Sequence, residues 1–424
     1  MQESVFTQAL GLTKPWAVER VQLDDARKRI DLYVAYQAST GTCPACGAAD
    51  QSVHDRRART WRHLHFFQFE AWIHCDVPRI RCACGSTTQL AAPWARAGSR
   101  FTLMFEALAL TLAREMPVAV CARTLGCTQQ ALWRLIDAHV KRARQLERHE
   151  DVRTLGIDET ACRRGHQYIT LVHDLDARRL LFAAEGRDAG AIDRAANDLR
   201  AHGGSPEAID TVCMDMSAAF VSGVARSMPQ AAIAFDRFHV IQMANAALDG
   251  VRREEVRTEP DLKRTRWGWM KDWRKWTRGQ IDDMHWLTRT RLKTARAWRL
   301  KEALRDIYRS GLDEAGASAA LTRWMSWARR CRLEPMKRLA ATIKKHWNGV
   351  LHAFGAAHLH NGYVEAVNSL VQAAKARARG YGTPRHFIAM CYLIAGRLKH
   401  LPSSLHISVH RRRPFQANVD GVSS

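Results

Sequence analysis

The chain has 424 residues, 46% of them hydrophobic and 25% charged, which is ordinary for a globular protein of two to four folded units. Lys and Arg number 65 against 42 Asp and Glu, a formal net charge of +23 that indicates a polyanionic partner, with nucleic acid as the first candidate. No run of about 18 apolar residues and no signal peptide is present, so we expect a cytoplasmic protein without a membrane partner.

The pattern of hydrophobic and charged residues divides the chain into six segments. Strand-like runs around two cysteine pairs come first, followed by helices and then by alternating strands and helices. A basic helical stretch rich in Trp, a helix with a polar–apolar motif and a tail with Pro and Arg complete the chain. The predicted segments are 1–95, 96–150, 151–240, 241–355, 356–400 and 401–424.

Two cysteine pairs in the first segment have the spacing of metal ligands. Cys43 and Cys46 form a Cys-x-x-Cys knuckle followed by Gly, and Cys82 and Cys84 form a second knuckle that is one residue shorter. The sequence between them alternates like a β-hairpin. Two knuckles joined by a hairpin are the layout of a zinc ribbon, so we predict that these four thiolates bind a structural Zn²⁺.

Other interpretations of this module remain open. Cys75 or His74 is an alternative ligand for the short knuckle, and a metal-free module with reduced cysteines is the other alternative. The basic run 54–65 also lies here. Arg56 and Arg57 within it are candidates for contact with the DNA backbone, and the plain alternative is a solvated charged face.

Residues 116–136 predict two helices joined by a tight bend. Gly126 suits the bend, and Thr128 suits the N-cap of the second helix. This is a helix-turn-helix pattern, with an ordinary three-helix core element as the alternative. The residues expected to point outward to base edges or phosphates are Gln129, Gln130 and Arg134.

Two acidic residues follow apolar strands in the third segment. One short strand is predicted to end in Asp158 and another in Asp215, with a hairpin and a helix between them. A third strand ends in Asp236, which gives the element order of an RNase H-like α/β fold. Carboxylates at the ends of adjacent strands can hold two Mg²⁺ ions about 3.5–4 Å apart for an in-line phosphoryl displacement. Glu159 should face the other side of its strand and is the weaker candidate.

The third carboxylate should come from a helix that packs against the same sheet. Glu365 lies in the run HNGYVEAVNSL (360–370) and flanks an apolar helical stripe. Asn361 is the expected N-cap, and Asn368 lies one turn after Glu365. A solvated helical glutamate would be the plain alternative if the other two acids were absent.

The motifs LGIDET, VCMDMS with AFDRFHV, and HNGYVEAVNSLVQAAKARARGYGTPRHF resemble the DDE transposases of bacterial insertion sequences, the ISL3 family in particular. The resemblance covers nearly the whole chain, including the cysteine module and the helix-turn-helix. It implies that Asp158, Asp215 and Glu365 bind the catalytic Mg²⁺ or Mn²⁺. Asp236 and His239 resemble the Asp-x-x-His element of related transposases, so His239 is expected near the scissile phosphate.

The resemblance also implies a helical insertion domain between Asp215 and Glu365. The insertion contains RWGWMKDWRKWTR (266–278) and further Trp residues, which would either stack on flipped bases or fill a helical core. We expect both, with most of the Trp in the core. The basic residues predicted to line the approach of DNA, unless they form a solvated face, are Lys375, Arg377, Arg379 and Arg385.

Together these features predict a multidomain protein with a zinc-ribbon-like module, a helix-turn-helix and an RNase H-like α/β catalytic domain interrupted by an all-helical insertion. By the resemblance it is a nucleoid-associated homo-oligomer, a dimer or larger, that binds terminal inverted repeats and target DNA as duplexes. It would hydrolyse the 3′ ends and join them to the target. The alternatives are a DNA-binding regulator with silent acids, which the intact triad disfavours, and a junction-cleaving nuclease, which would need neither the helix-turn-helix nor the insertion.

Overall fold

The computed structural model describes residues 2–163, 165, 167–355 and 362–402. The contacts divide the chain into two compact units, one that runs to His139 and one from Val140 to Lys399. The predicted N-cap Asn361 and residues 403–424 of the predicted tail lie outside the described residues.

The first unit is built on a sheet with the strand order β1-β2-β5-β4-β3, and β6 pairs with β5. Its elements are α1 (Gln2–Ala9), β1 (Trp16–Asp24), β2 (Arg29–Tyr36), β3 (Thr40–Gly41), β4 (Gln51–Arg62), β5 (Glu70–Arg81) and β6 (Thr87–Gln89). β2 and β5 are parallel, whereas the other neighbours are antiparallel. Because apolar residues alternate along these strands, one apolar cluster gathers Val34, Ile73, Trp16, Trp61 and Trp94. The ring of Trp94 lies edge-on to Trp16 and to Trp61, at centroid distances of 5.2 and 5.4 Å.

Three helices follow this sheet: α2 (Leu103–Glu115), α3 (Val118–Leu125) and α4 (Gln129–Leu146). Gly126 forms the bend between α3 and α4 with a left-handed backbone, φ +66°, which suits a residue without Cβ. The hydroxyl of Thr128 accepts the N–H of Ala131 at 3.2 Å, so the predicted N-cap is confirmed. Leu132 and Ile136 are fully buried, as the helical spacing predicts.

The second unit contains a five-stranded sheet with the order β11-β10-β7-β8-β9. Its strands and their connecting helices are β7 (Thr154–Arg163), β8 (Gln167–Asp174), β9 (Arg179–Glu185), α5 (Ala189–Ala201), β10 (Thr211–Met214), α6 (Ala218–Ser227) and β11 (Ala232–Phe235). β7, β10 and β11 are mutually parallel, and β8 is antiparallel to both of its neighbours. All four residues of β10 are buried, as is typical of a central strand that is covered on both faces.

Nine α-helices follow in the described part of the chain. They are α7 (Arg237–Glu255), α8 (Arg266–Met270), α9 (Arg278–Leu287), α10 (Lys293–Arg309), α11 (Glu314–Arg330), α12 (Glu334–Lys345), α13 (Trp347–Gly355), α14 (Gly362–Arg377) and α15 (Pro384–Ala395). Helices α7 to α13 share one apolar core with the sheet. α13 approaches β11 so closely that a Cβ on Gly349 would lie 2.5 Å from the ring of Phe235. Within the described residues, no helix is both long and apolar enough to cross a membrane.

Candidate active site and metal centre

Three acidic residues lie where the parallel pairing of strands in the second sheet ends. Asp215 directly follows β10 and Asp236 directly follows β11, as the sequence predicts. The prediction that a strand ends at Asp158 is wrong, because β7 continues to Arg163. β8 remains paired with β7 as far as Arg163, whereas β10 pairs with β7 only up to Gly156. Asp158 therefore lies just beyond the parallel ladder, level with Asp215 by strand register.

The carboxylate of Asp158 is half-buried among charged groups. Burial raises its pKa to about 6, and the negative charges of Asp215 and Asp236 add to that rise. The backbone N–H of Glu159, which donates to Asp158 Oδ1 at 2.7 Å, and the nearby His239 lower the pKa. These interactions show that the three acids and His239 belong to one electrostatic neighbourhood. The side chain of Glu159 instead pairs with Arg187 at 3.5 Å.

One stripe of α14 contacts β7. The amide nitrogen of Asn368 donates to Oδ2 of Asp158 at 2.5 Å. One and two turns later, the amide of Gln372 and the ammonium of Lys375 donate to the carbonyl oxygen of Ala161, at 3.0 and 2.5 Å. These hydrogen bonds tether the helix along the strand that carries Asp158.

Glu365 belongs to the same stripe, because it precedes Asn368 by three residues, or roughly 4.5 Å along the helix axis. Its side chain is exposed. In the described part of the chain, the carboxylate oxygens of Asp158, Asp215 and Glu365 do not all lie within 4.8 Å of one another. Two hydrated Mg²⁺ ions about 3.5–4 Å apart require ligands that are spread over a wider site. A half-buried carboxylate beside further carboxylates is a hard-oxygen donor set that fits Mg²⁺ or Mn²⁺.

Asp236 and His239 lie at the start of α7. Asp236 is buried, and its Oδ1 accepts the N–H of Phe238 at 3.0 Å, which caps the helix. The ring of His239 is half-buried in the first turn. Asp236 thus caps the helix end that carries His239, and His239 lies near enough to Asp158 to lower the pKa of its carboxyl group.

The cysteine cluster is formed by the two knuckles of the first unit. The sulfurs of Cys43, Cys46, Cys82 and Cys84 all lie within 4.8 Å of one another, and those of Cys46 and Cys82 are 3.5 Å apart. The hydroxyl of Ser86 lies 3.6 Å from Cys43 Sγ and 3.0 Å from Cys84 Sγ. Its hydrogen bond lowers the pKa of Cys43 to about 6, which favours the thiolate that binds Zn²⁺. Four convergent sulfurs fit a tetrahedral Zn²⁺ site.

The alternative ligands of the short knuckle are engaged elsewhere. The ring of His74 lies 2.5 Å from Asp31 and 3.1 Å from the hydroxyl of Thr60. Cys75 is buried within β5, and burial raises its pKa to about 12. The short spacing between Cys82 and Cys84 therefore still brings both sulfurs into the cluster, with a left-handed Gly85 (φ +85°) closing the turn.

A second group of metal-binding residue types serves a structural purpose. His149, Asp198 and His202 also have ligand atoms within 4.8 Å of one another. Both carboxylate oxygens of Asp198 accept hydrogen bonds from Arg144, at 2.8 and 2.7 Å. Both ring nitrogens of His202 are hydrogen-bonded to backbone carbonyl oxygens, and the two imidazole rings stack at 4.8 Å. Stacked rings direct their in-plane lone pairs side by side, so this group does not converge on an ion.

The residues predicted to contact DNA from the first unit are exposed. The bend and the buried stripe of α4 leave Gln129, Gln130 and Arg134 on its outer side. Arg56 and Arg57 are exposed on β4, although the guanidinium of Arg56 also donates to the carbonyl oxygen of Tyr36 at 3.3 Å. Their contact with DNA stays a prediction.

The basic residues after Glu365 divide into two groups. Lys375 is half-buried and is engaged by β7 and by the ring of Phe387, 5.7 Å away, so its first role is to hold α14. Arg377 and Arg379 are exposed at the end of the helix, and the backbone of Arg379 is left-handed with φ +55°.

The Trp residues between 266 and 347 are divided between core and surface. Trp269 and Trp324 are buried, and the partly buried Trp276, Trp298 and Trp347 pack against the same core. The remaining Trp residues of this stretch are exposed: Trp267, Trp273, Trp286 and Trp327. Arg266 and Arg274 lie over the rings of Trp267 and Trp273, at 5.2 and 4.7 Å. The predicted mixture is present, and five of these nine rings lie in the core or against it, as expected.

Sequence reasoning missed the functional contacts of Asn368, Gln372 and Ser86. Counting from Glu365, Asn368 and Gln372 stand at i+3 and i+7, and this helical spacing was the available signal for a shared stripe. The serine shared by two thiols carried no such signal, because it depends on how the knuckles fold together.

Comparison with known proteins covers almost the whole chain. The transposase family model of ISL3 type matches residues 155–391, its helix-turn-helix domain matches 90–140, and a zinc-finger model of transposases IS204/IS1001/IS1096/IS1165 matches 39–84. The transposase for insertion sequence element IS1557 from two strains of Mycobacterium tuberculosis is 30% identical over 94% of this chain and 97% of its own length. The transposase for insertion sequence element IS1001 from Bordetella parapertussis is 24% identical, over 91% of this chain and 97% of its own. With its zinc ribbon, its helix-turn-helix and its transposase domain, this chain belongs to the ISL3 family of insertion-sequence transposases.

Proposed function

We propose that the protein cleaves the ends of its insertion sequence and joins the 3′ ends to target DNA by metal-dependent phosphoryl transfer. The observation that carries the proposal is the neighbourhood of Asp158, in which Asp215, Asp236 and His239 act on its carboxylate and α14 closes over it. Acids at the ends of parallel strands, with a further acid on a helix packed against the same sheet, are the arrangement that two-metal phosphoryl transfer needs.

The strand order β11-β10-β7-β8-β9, in which β8 is antiparallel to its neighbours, supports an RNase H-like catalytic domain. On this interpretation the catalytic domain comprises 151–240 and 356–400, and helices α7 to α13 include an insertion at 241–355 between the second and third acids. Segments 1–95 and 96–150 would bind the terminal inverted repeats, and 401–424 would be a tail.

Each proposed catalytic residue has a distinct role. When bound, Mg²⁺ or Mn²⁺ activates the attacking oxygen and stabilises the leaving one. Asp158, Asp215 and Glu365 would hold the ions through hard carboxylate oxygens. His239, which the capped start of α7 holds near Asp158, would contact the scissile phosphate.

Each unit would carry its own surface for DNA. Gln129, Gln130 and Arg134 would contact the inverted repeat, together with Arg56 and Arg57 on β4. Arg377 and Arg379 would guide the phosphate backbone toward the acids. Since two element ends must be processed together, we further propose a homo-oligomer, a dimer or larger.

The test is strand cleavage of a duplex that carries the element's end, with Mg²⁺ or Mn²⁺, comparing the wild type with Glu365→Gln. We expect metal-dependent nicking at the 3′ end by the wild type and none by the variant. Tight binding without cleavage by either protein, with every metal tested, would refute the proposal and support a DNA-binding regulator.

A further inference from the structure

Asp158 is held by donors at both of its oxygens. Its Oδ1 accepts the backbone N–H of Glu159 at 2.7 Å, and its Oδ2 accepts the side-chain amide of Asn368 at 2.5 Å. Because a carboxylate accepts only, the Nδ2 group of Asn368 must face Asp158. Two donors on different atoms fix both the rotamer and the plane of this carboxylate.

Asn368 does more than attach the helix. Gln372 and Lys375 already tether α14 to the carbonyl oxygen of Ala161. The other polar atom of the Asn368 side chain, Oδ1, is buried and has no hydrogen-bond partner among the described residues. A buried carbonyl without a partner is unfavourable, so the amide at this position is not explained by the stability of the fold.

We propose that Asn368 is a positioning residue that presents the carboxylate of Asp158 to the metal ions. The assignment rests on the proposed function, since it takes Asp158 to be a metal ligand. Groups that orient a ligand without touching the ion typically change metal affinity by roughly 10–100-fold when they are removed. The two hydrogen bonds would fix the conformation of Asp158 before a metal ion binds. Without them, repulsion from the neighbouring acids would favour other conformations of this half-buried carboxylate.

Two matched variants separate positioning from tethering. Asn368→Leu removes the amide at Asp158, and Gln372→Leu removes the amide one turn later, which donates to Thr160 and Ala161. Mn²⁺ binding is measured by electron paramagnetic resonance on zinc-loaded full-length protein, with Asp158→Asn to identify the signal of the acidic site. Thermal unfolding of each variant is followed in parallel.

We expect Asn368→Leu to raise the Mn²⁺ dissociation constant about 10–100-fold while the melting temperature changes little, because an unpartnered buried oxygen is lost with the amide. Gln372→Leu should lower the melting temperature at least as much and leave Mn²⁺ affinity within about twofold. In cleavage assays the Asn368→Leu defect should shrink as the metal concentration is raised. If Asn368→Leu fails to fold, Asn368→Ala serves the same comparison.

Equal Mn²⁺ affinity of the wild type and Asn368→Leu would overturn the assignment, as would an equal loss of affinity in Gln372→Leu. Failure of the proposed function gives a different result. The wild type would then bind Mn²⁺ at Asp158, with the expected loss in Asn368→Leu, yet would cut no DNA end.

Discussion

The two candidate metal sites of this protein are built in opposite ways. The cysteine cluster takes all its ligands from two turns of one N-terminal sheet, and its sulfurs lie within 4.8 Å of one another. The acidic site takes Asp158 from β7, Asp215 from the end of β10 and Glu365 from α14, far apart along the chain. The cysteine cluster is compact, which suits a tetrahedral structural Zn²⁺, whereas the carboxylates of the acidic site are spread more widely, which suits the proposed chemistry with hydrated ions on DNA.

The surroundings of the two sites also shift the pKa of a proposed ligand in opposite directions. A serine hydroxyl shared by two thiols lowers the pKa of Cys43 to about 6, which favours the thiolate at that ligand of the proposed zinc site. Burial and the neighbouring acids raise the pKa of Asp158 to about 6, and a cation bound beside this carboxylate would favour its charged form. From this comparison we propose that zinc stabilises the fold and that Mg²⁺ or Mn²⁺ serves the chemistry.

The largest expected effect is loss of the zinc ligands. Cys46→Ser should release the ion and unfold the sheet's knuckle region, because structural Zn²⁺ contributes on the order of 10 kcal/mol to small zinc modules. Zinc content and circular dichroism measure the outcome. The control is Cys75→Ala, a buried cysteine outside the cluster, which should keep one zinc per chain. Zinc retained by Cys46→Ser would contradict a closed site.

The acidic site should show the reverse pattern. Asp158→Asn should lower cleavage by about 10³-fold, equivalent to roughly 4 kcal/mol, without lowering stability. The matched control is Glu159→Gln, which changes the adjacent acid that pairs with Arg187 and should retain most activity. DNA binding measured alongside should be nearly unchanged in both, and loss of binding in Asp158→Asn would contradict the separation of binding from chemistry.

These two sites also show what the sequence could predict. The knuckles are local, so spacing alone identified Cys43, Cys46, Cys82 and Cys84, including the shortened pair. For the acidic site, apolar runs followed by acids identified the strands and helix spacing identified α14. The predicted end of the strand at Asp158 is wrong, because pairing with β8 continues β7 as far as Arg163. The residue pattern of one strand does not show how long its partner strand is.

The sequence could not predict the contacts of Asn368 and Ser86. It also could not predict which four Trp residues are exposed. Each depends on which elements meet after folding, and helical periodicity in a Trp-rich stretch does not distinguish a core ring from a surface ring.

A third prediction concerns a buried ion pair that links the helices of the first unit. Glu106 is fully buried and lies 2.6 Å from His139 and 3.0 Å from Arg96. Glu106→Gln should destabilise this unit by about 3–5 kcal/mol, since it leaves a buried charge partner uncompensated. Denaturant unfolding measures the change, and a difference below about 1 kcal/mol would show that the pair is dispensable.

The same pair predicts a pH dependence. Burial would raise the pKa of Glu106, but hydrogen bonds from His139 and its neighbours outweigh burial and hold the pKa below its ordinary value of 4.5. A carboxyl with a lowered folded-state pKa contributes stability above the unfolded pKa and loses it as the pH falls through the folded one. The stability of the unit should therefore drop below about pH 4.5, and the drop should be smaller in Glu106→Gln.

The smallest expected effects concern DNA binding by the first unit, and they distinguish residues that contact base edges from residues that contact phosphates. Gln130→Ala should reduce discrimination between the cognate end and a mutated end by about 1–3 kcal/mol. Arg57→Ala should weaken binding to both sequences alike and reduce the salt dependence by about one phosphate contact. Fluorescence anisotropy at several salt concentrations measures both. If Gln130→Ala weakened binding to the cognate and the mutated end equally, Gln130 would not contact the base edges.

The most direct test of the central claim is anomalous diffraction from crystals of the zinc-loaded protein soaked in Mn²⁺, with a bound DNA end. We predict Mn²⁺ peaks between Asp158, Asp215 and Glu365, and a separate zinc peak among the four cysteines. Mn²⁺ peaks elsewhere, for example at His149 and Asp198, with none beside Asp158, would contradict the assignment of the acidic site.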